Sequence, residues 1–217
     1  SYRARFITTL NLPDGWKGIF SDGTNPIPTY LYSFVAGKFE EKAAVREGFP
    51  IRALYRATDP KKVAQLDIVF SEMVKSLKWM ESYTGVKCPF KEYGLALIPD
   101  YPYGGTENPG AFQINESRLL LESNATKEQE LKRLELIAHE ISHLWFGNIV
   151  QLNWTENLWE KEVMANIMAS KITRRQVDAK ESDMNFLTTF QNKAVALDRT
   201  DGTHAIQQPS IVDHTTF

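Results

Sequence analysis

The chain has little of what would signal a covalent staple, a membrane span or a polyanionic partner. Its one cysteine, Cys88, excludes an intrachain disulfide, and beside Pro89 it reads as a small core residue rather than a reactive thiol. No apolar run approaches the ~18–20 residues that cross a bilayer, so the chain carries no transmembrane segment, and no secretory leader is visible. Neither sign of charge dominates: 25 Lys and Arg against 27 Asp and Glu leave a net −2. That gives no electrostatic case for nucleic acid or an anionic lipid surface. Tyrosine stops at Tyr103. None of these absences assigns a compartment.

What remains is an ordinary globular composition, 42% apolar and 24% charged, in a chain long enough for one domain or a domain plus part of another. The pattern predicts an α+β fold. In the first 50 residues Ala4, Phe6, Thr8, Leu10 and Leu12 alternate with mostly polar neighbours, as a half-buried strand would. Residues 30–35 read as a strand covered on both sides, whereas 37–48 are charged and turn-like. A boundary near residue 50 is expected, separating 1–50 from 51–217.

Helical periodicity follows. Asp59 and Pro60 form a start signal, Val63, Leu66, Phe70, Met73, Leu77 and Met80 share one face, and Gly85 ends the pattern. A strand is expected at 93–98, a Gly-, Pro- and Asn-rich loop at 101–110, and a second strand at 118–121. Thr126 and Gln129 have capping-box spacing before a helix that carries Leu131, Leu134, Ala138 and Ile141 and should stop at Gly147. A further helix should run from about Thr155 to about Ile172, with weak signal beyond it.

Inside the helix that follows Thr126 lies His139-Glu140-Ile141-Ser142-His143. Four residues advance a helix by ~400°, so both imidazoles project from one face, the separation two ligands of one tetrahedral zinc require. Glu140 lies ~100° round, placed to take a proton from an attacking water without binding the metal. Two core histidines on an amphipathic helix would look the same, so the motif needs support. A catalytic zinc needs a third protein ligand. Glu162 follows His143 after eighteen intervening residues, on the next predicted helix. Glu160 competes locally, but on a different helix face, so only one of the two can serve. Further upstream, Gly104-Gly105-Thr106-Glu107-Asn108 combines glycines, which allow close backbone approach, with a carboxylate able to pair with a cation.

Residues 139–148, the eighteen-residue step to Glu162 and the loop at 104–108 together resemble the zinc aminopeptidases of the gluzincin class. These are enzymes of the alanyl aminopeptidase and leukotriene-epoxide hydrolase type. The loop resembles their exopeptidase signature, written G-[AG]-M-E-N. Residues 29–39 resemble the last strand region of the family's N-terminal β-domain. The resemblance implies a thermolysin-like catalytic domain, incomplete at its C-terminus and preceded by the end of an all-β domain. It implies one zinc ion on His139, His143 and Glu162, with Glu140 as general base. Gly104, Gly105, Thr106, Glu107 and Asn108 would bind substrate, Glu107 holding the free α-amino group of a peptide. Family members also use an oxyanion-stabilising tyrosine after the third ligand and a C-terminal helical domain. Thr203-His204-Ala205-Ile206 resembles the segment ahead of that tyrosine, which would place it past Phe217, in a longer polypeptide. His204 and His214 read as loop histidines rather than substitutes for it.

The chain departs from the family at Thr106, where the signature has Met, at Val163, where Gly is usual, and at Asn157, where Asp is common. The segment from Ser21 to Pro28 is also shorter than in the family. Two other readings stay open at this level. One is epoxide hydrolysis at the same zinc; the other is a non-catalytic, peptide-binding descendant.

Overall fold

The computed structural model describes residues 2–151 and 158–203. Around residue 50 the chain doubles back as a hairpin of β5 (Glu40–Arg46) and β6 (Phe49–Tyr55). This hairpin opens a five-stranded sheet, to which β7 (Tyr93–Ile98), β8 (Gly105–Thr106) and β9 (Phe112–Asn115) contribute, in the order β5-β6-β7-β9-β8. The central strands β6, β7 and β9 run parallel, and the edges β5 and β8 are antiparallel to their neighbours. The charge of 40–46, read from sequence as a turn, belongs to an edge strand. An edge tolerates polar side chains and is protected by them.

Both faces of the sheet are covered. Ile51, Ala53, Tyr93, Leu95, Leu97, Phe112 and Ile114 join the larger core with the helices, while Leu54 and Ala96 pack with Ile19 on the other face. Ile19 comes from β2 (Lys17–Phe20), paired with β4 (Phe34–Gly37) as a separate ribbon. The strand expected at 30–35 therefore begins later, after a 3₁₀ turn at Thr29–Leu31. Near the start of the chain only β1 (Arg3–Ala4) pairs, with β3 (Ile27–Pro28). Alternating burial nonetheless continues to Leu12 without a ladder: side-chain packing, not strand pairing, sets that pattern.

The start signal at Asp59 is used, its carboxylate accepting from the Lys61 amide. It opens only the short α1 (Pro60–Ala64), and α2 (Leu66–Thr84) follows beyond Gln65, whose side chain holds the backbone of Leu121 in both directions. Gly85 caps α2 with φ +70°, the left-handed geometry in which glycine is at ease. In place of a strand at 118–121 the chain forms α3 (Glu116–Leu119), because Asn115 caps the Ser117 amide and turns β9 directly into a helix. The capping box of Thr126 and Gln129 forms, and α4 (Lys127–His143) follows. It ends at His143, four residues before Gly147, where φ is +133°. α5 is described over Leu158–Gln176; its expected start near Thr155 lies outside the described residues, as do Asn157, His204 and His214. Beyond it lie α6 (Ala179–Phe186), a π-turn at Leu187–Gln191 and α7 (Asn192–Asp198). Their largely exposed surfaces explain why hydrophobic periodicity did not reveal them. α4 packs between α2 and α5, with β8 against it. No helix among the described residues is long and apolar enough to cross a membrane.

Candidate metal centre and its carboxylates

The last two turns of α4 present His139 and His143, and the opening turns of α5 present Glu162 and Asn166. His139 Nε2 and His143 Nε2 lie 3.0 Å apart, and Glu162 Oε2 is 3.3 Å from the first and 3.4 Å from the second. A tetrahedral zinc with bonds of about 2.0–2.1 Å sets its ligand atoms about 3.3–3.4 Å apart, so the two edges to Glu162 match such an ion and the edge between the imidazoles is shorter by about 0.3 Å. The other ring nitrogens are already engaged. His139 Nδ1 lies 2.9 Å from Asn166 Oδ1, and His143 Nδ1 lies 3.0 Å from the carbonyl oxygen of Phe146. Each acceptor fixes the tautomer that leaves Nε2 free to bind a metal. Two imidazoles and one carboxylate are also the donor set of a catalytic, open zinc site rather than a closed structural one.

Glu140 is buried beside this triangle, and its carboxylate shares a second compact group with Glu107 and His143. Burial, aided by the charges of Glu107 and Glu162 and opposed by His139, pushes its pKa up to about 8. Glu162 shifts the other way. Burial would raise it, but the adjoining His139 and His143 rings and the Lys161 charge hold it well below the usual carboxylate range.

Glu107 follows directly on β8, and burial likewise opposes its ionisation. It is outweighed by the charges of His143 and Lys161, so Glu107 is held below its ordinary value. Its partner is the buried ammonium of Lys161, which donates to Glu107 Oε1 and lies 3.3 Å from Glu162 Oε1. The Lys161 charge also lies 5.3 Å from the centre of the Tyr30 ring. The loop around Glu107 is tied down on several sides. Thr106 Oγ1 donates to Asn108 Oδ1 (2.9 Å), Asn108 Nδ2 donates to the Leu31 carbonyl (2.8 Å), and Asn148 Nδ2 donates to the Glu107 carbonyl (3.2 Å). Gly104 and Gly105 line the approach to α4. A Cβ on Gly105 would lie 2.7 Å from Glu140 Cδ, so glycine leaves the carboxylate its present place and a larger residue would make it shift.

The expected site residues His139, Glu140, His143, Glu162, Glu107 and Gly105 thus lie within one neighbourhood, with Gly104, Thr106 and Asn108 in the adjoining loop. Two residues of the neighbourhood went unnoticed in the sequence. Asn166 stands one helical turn after Glu162, a spacing that would have shown it could face the same ligand set. Lys161 looked like half of a solvated Glu-Lys-Glu run, and only its burial sets it apart.

A mononuclear metal centre of hydrolase type, with two additional carboxylates at hand, is the class this geometry defines. Residues 69–216 match the Peptidase family M1 domain, and the chain belongs to that family. It is 30% identical over 94% of its length to a leucyl aminopeptidase of Saccharolobus solfataricus, 28% of which it covers. To the endoplasmic reticulum aminopeptidase 1 of Homo sapiens it is 29% identical, over 94% of this chain and 21% of that protein. To the aminopeptidase N of Lactococcus lactis subsp. lactis it is 32% identical, over 87% of this chain and 22% of that protein. The chain therefore spans under a third of these relatives.

Proposed function

We propose that this chain is the metal-binding part of a zinc aminopeptidase that hydrolyses the N-terminal peptide bond of peptides with a free amino terminus. The observation that carries the reading is the convergence of a zinc-sized His139–His143–Glu162 triangle with two further buried carboxylates. A zinc ion held there would supply Lewis acidity that polarises the scissile carbonyl and acidifies the attacking water.

The rest falls to the chain's own residues. Glu140 receives the proton of the attacking water and passes it to the leaving amine. Glu107 receives the substrate's α-ammonium. Anchoring that end makes the site a ruler, with only the first peptide bond over the metal. β8 ends the sheet, so its outer edge is available to an extended peptide, and Gly104 and Gly105 leave room for the backbone. Thr106 and Asn108 complete the substrate loop, with Thr106 beside the first side chain.

We further propose the thermolysin-like domain assignment for residues 51–217 and a β-domain end for residues 1–50, the β5–β6 hairpin forming the join. The oxyanion-stabilising tyrosine and the closing helical domain of the family would come from elsewhere in the same polypeptide. The test is Glu107→Ala in the zinc-loaded, full-length protein. KM for an aminoacyl chromogenic amide should rise and kcat fall sharply with zinc stoichiometry intact, while the N-acetylated amide should discriminate little between the two proteins. Unchanged kinetics on the free amide would refute the role.

A further inference from the structure

The carboxylate assigned to the substrate's ammonium already holds an ammonium. Lys161 and Glu107 are 8% and 7% exposed, and the lysine donates to Glu107 Oε1 while lying 3.3 Å from Glu162 Oε1. Lys161 immediately precedes the third ligand on α5, so the helix itself delivers the charge into the space between the two carboxylates. Buried lysines are rare unless paired, and this one is paired with the group that the proposed reaction needs. A lysine ammonium and a peptide α-ammonium ask for the same thing: a carboxylate oxygen in a desolvated setting. One full negative charge answers one cation well and two poorly. The metal adds two positive charges to the same pocket.

We propose that Lys161 is a specificity-determining residue, a tethered ammonium that competes with the substrate's amino terminus for Glu107. This rests on the reading of Glu107 given above. It lowers the premium on a free amino terminus, so that peptides with a neutral, blocked end are disfavoured less than an unpaired Glu107 would dictate. Lys161 acts through Glu107 and touches no reacting atom.

The experiment compares Lys161→Met and Lys161→Arg with wild type in the zinc-loaded, full-length protein, on a leucyl chromogenic amide and its N-acetylated form. Close, desolvated charge pairs couple strongly enough that removing the competitor should lower KM for the free amide by at least about tenfold. Turnover should change far less, and KM for the acetylated amide should not fall. Lys161→Arg keeps the cation and should stay near wild type, which a role confined to packing the methylene stem would not require. A second readout needs neither metal nor turnover: n-butylamine titrated into the metal-free protein, with n-butanol as control. Lys161→Met, or Lys161→Gln should the first variant fail to fold, should bind the amine at least about tenfold more tightly than wild type. Equal amine affinity, or a KM that stays or rises with zinc in place, overturns the proposal. Glu107→Ala separates the two failures. If it leaves the preference for the free amide untouched, the reading of Glu107 falls. If it abolishes the preference while the Lys161 variants gain nothing, the competition alone falls.

Discussion

Gly105→Ala places one methyl group where Glu140 now sits. The new Cβ would lie 2.7 Å from Glu140 Cδ, nearer still to Oε1, and 2.9 Å from Ile114 Cδ1. Carbon atoms pack best at about 3.5–4.0 Å, so the carboxylate must retreat by about 1 Å or the loop must lift. The atoms met are the ends of flexible side chains and not backbone, so rotation of the carboxylate relieves most of the contact, in keeping with a signature that admits Ala at this place. Overpacking of this kind costs about 1–3 kcal/mol, and for a domain of this size each kcal/mol lowers Tm by about 2–4 °C. A reacting group misplaced by about 1 Å can lose about 100-fold in rate, but a carboxylate that rotates keeps its reach, so kcat should fall by less than about tenfold. Zinc should stay bound, since the atoms nearest the added methyl belong to Glu140 and Ile114 and not to a ligand. The assay is turnover of an aminoacyl chromogenic amide by the full-length protein, with zinc measured by atomic absorption and Tm by circular dichroism. A loss of about 100-fold in a folded, zinc-replete alanine variant would refute the reasoning that the Glu140 carboxylate can rotate away from the added methyl.

Two further outcomes follow from the same geometry. Asn166→Ala removes the acceptor 2.9 Å from His139 Nδ1, and zinc affinity measured by chelator competition should fall by about 10–100-fold; an unchanged affinity would show that the amide does not orient the ring. Glu140 has a folded-state pKa raised from 4.5 to about 8, so the folded metal-free protein holds a proton that the unfolded chain gives up. Its contribution is fully present below pH 4.5 and is lost as pH rises through 8, with a slope of at most about 1.4 kcal/mol per pH unit. Urea unfolding of the metal-free protein should show that decline between pH 5 and 8, and Glu140→Gln should flatten it; parallel profiles would contradict the shift.

What the sequence revealed about this site was local. A motif with spacing of four on a helix that starts at a capping box needs no tertiary information, and α4 formed with both imidazoles on one side. The start of α1 and the end of α2 were legible for the same reason, since Asp59, Pro60 and Gly85 act within a turn of where they stand. Glu162 was found by spacing and resemblance alone, because its approach depends on the path from His143 to α5, which no local rule dictates. The errors share a cause. The charged strand β5 was read as a turn because an edge does not alternate cleanly, and α3 was read as a strand because Asn115 redirects the chain within one residue. Lys161 shows the limit most plainly: composition makes a lysine beside two glutamates a surface feature, and only packing against Glu107 buries it.

α4 explains how so polar a centre is held. Over its last two turns Ala138, Glu140, Ile141, Ser142 and His143 are all buried, and Leu144 and Trp145 continue the run, so this end of the helix has almost no solvent face. Ser142 Oγ turns back to the Ala138 carbonyl at 2.6 Å, and Trp145 Nε1 reaches the Val86 carbonyl at 3.0 Å. The ligands are therefore aimed by the same packing that makes the core. Opposite them, Glu162 reaches both histidines and Asn166 reaches His139, which sets two helical turns face to face in antiparallel sense. This register sorts the departures from the family pattern. Val163 is 44% exposed, so the side chain that stands in place of glycine lies largely in solvent. Thr106 spends its hydroxyl within the loop, on Asn108 and 3.1 Å from the Tyr101 hydroxyl, and so presents less polarity to a substrate side chain than its formula suggests. Neither change alters the charge that a peptide's amino terminus would meet. Lys161 does set that charge, so selection for the amino terminus should trace to it before it traces to either of the others.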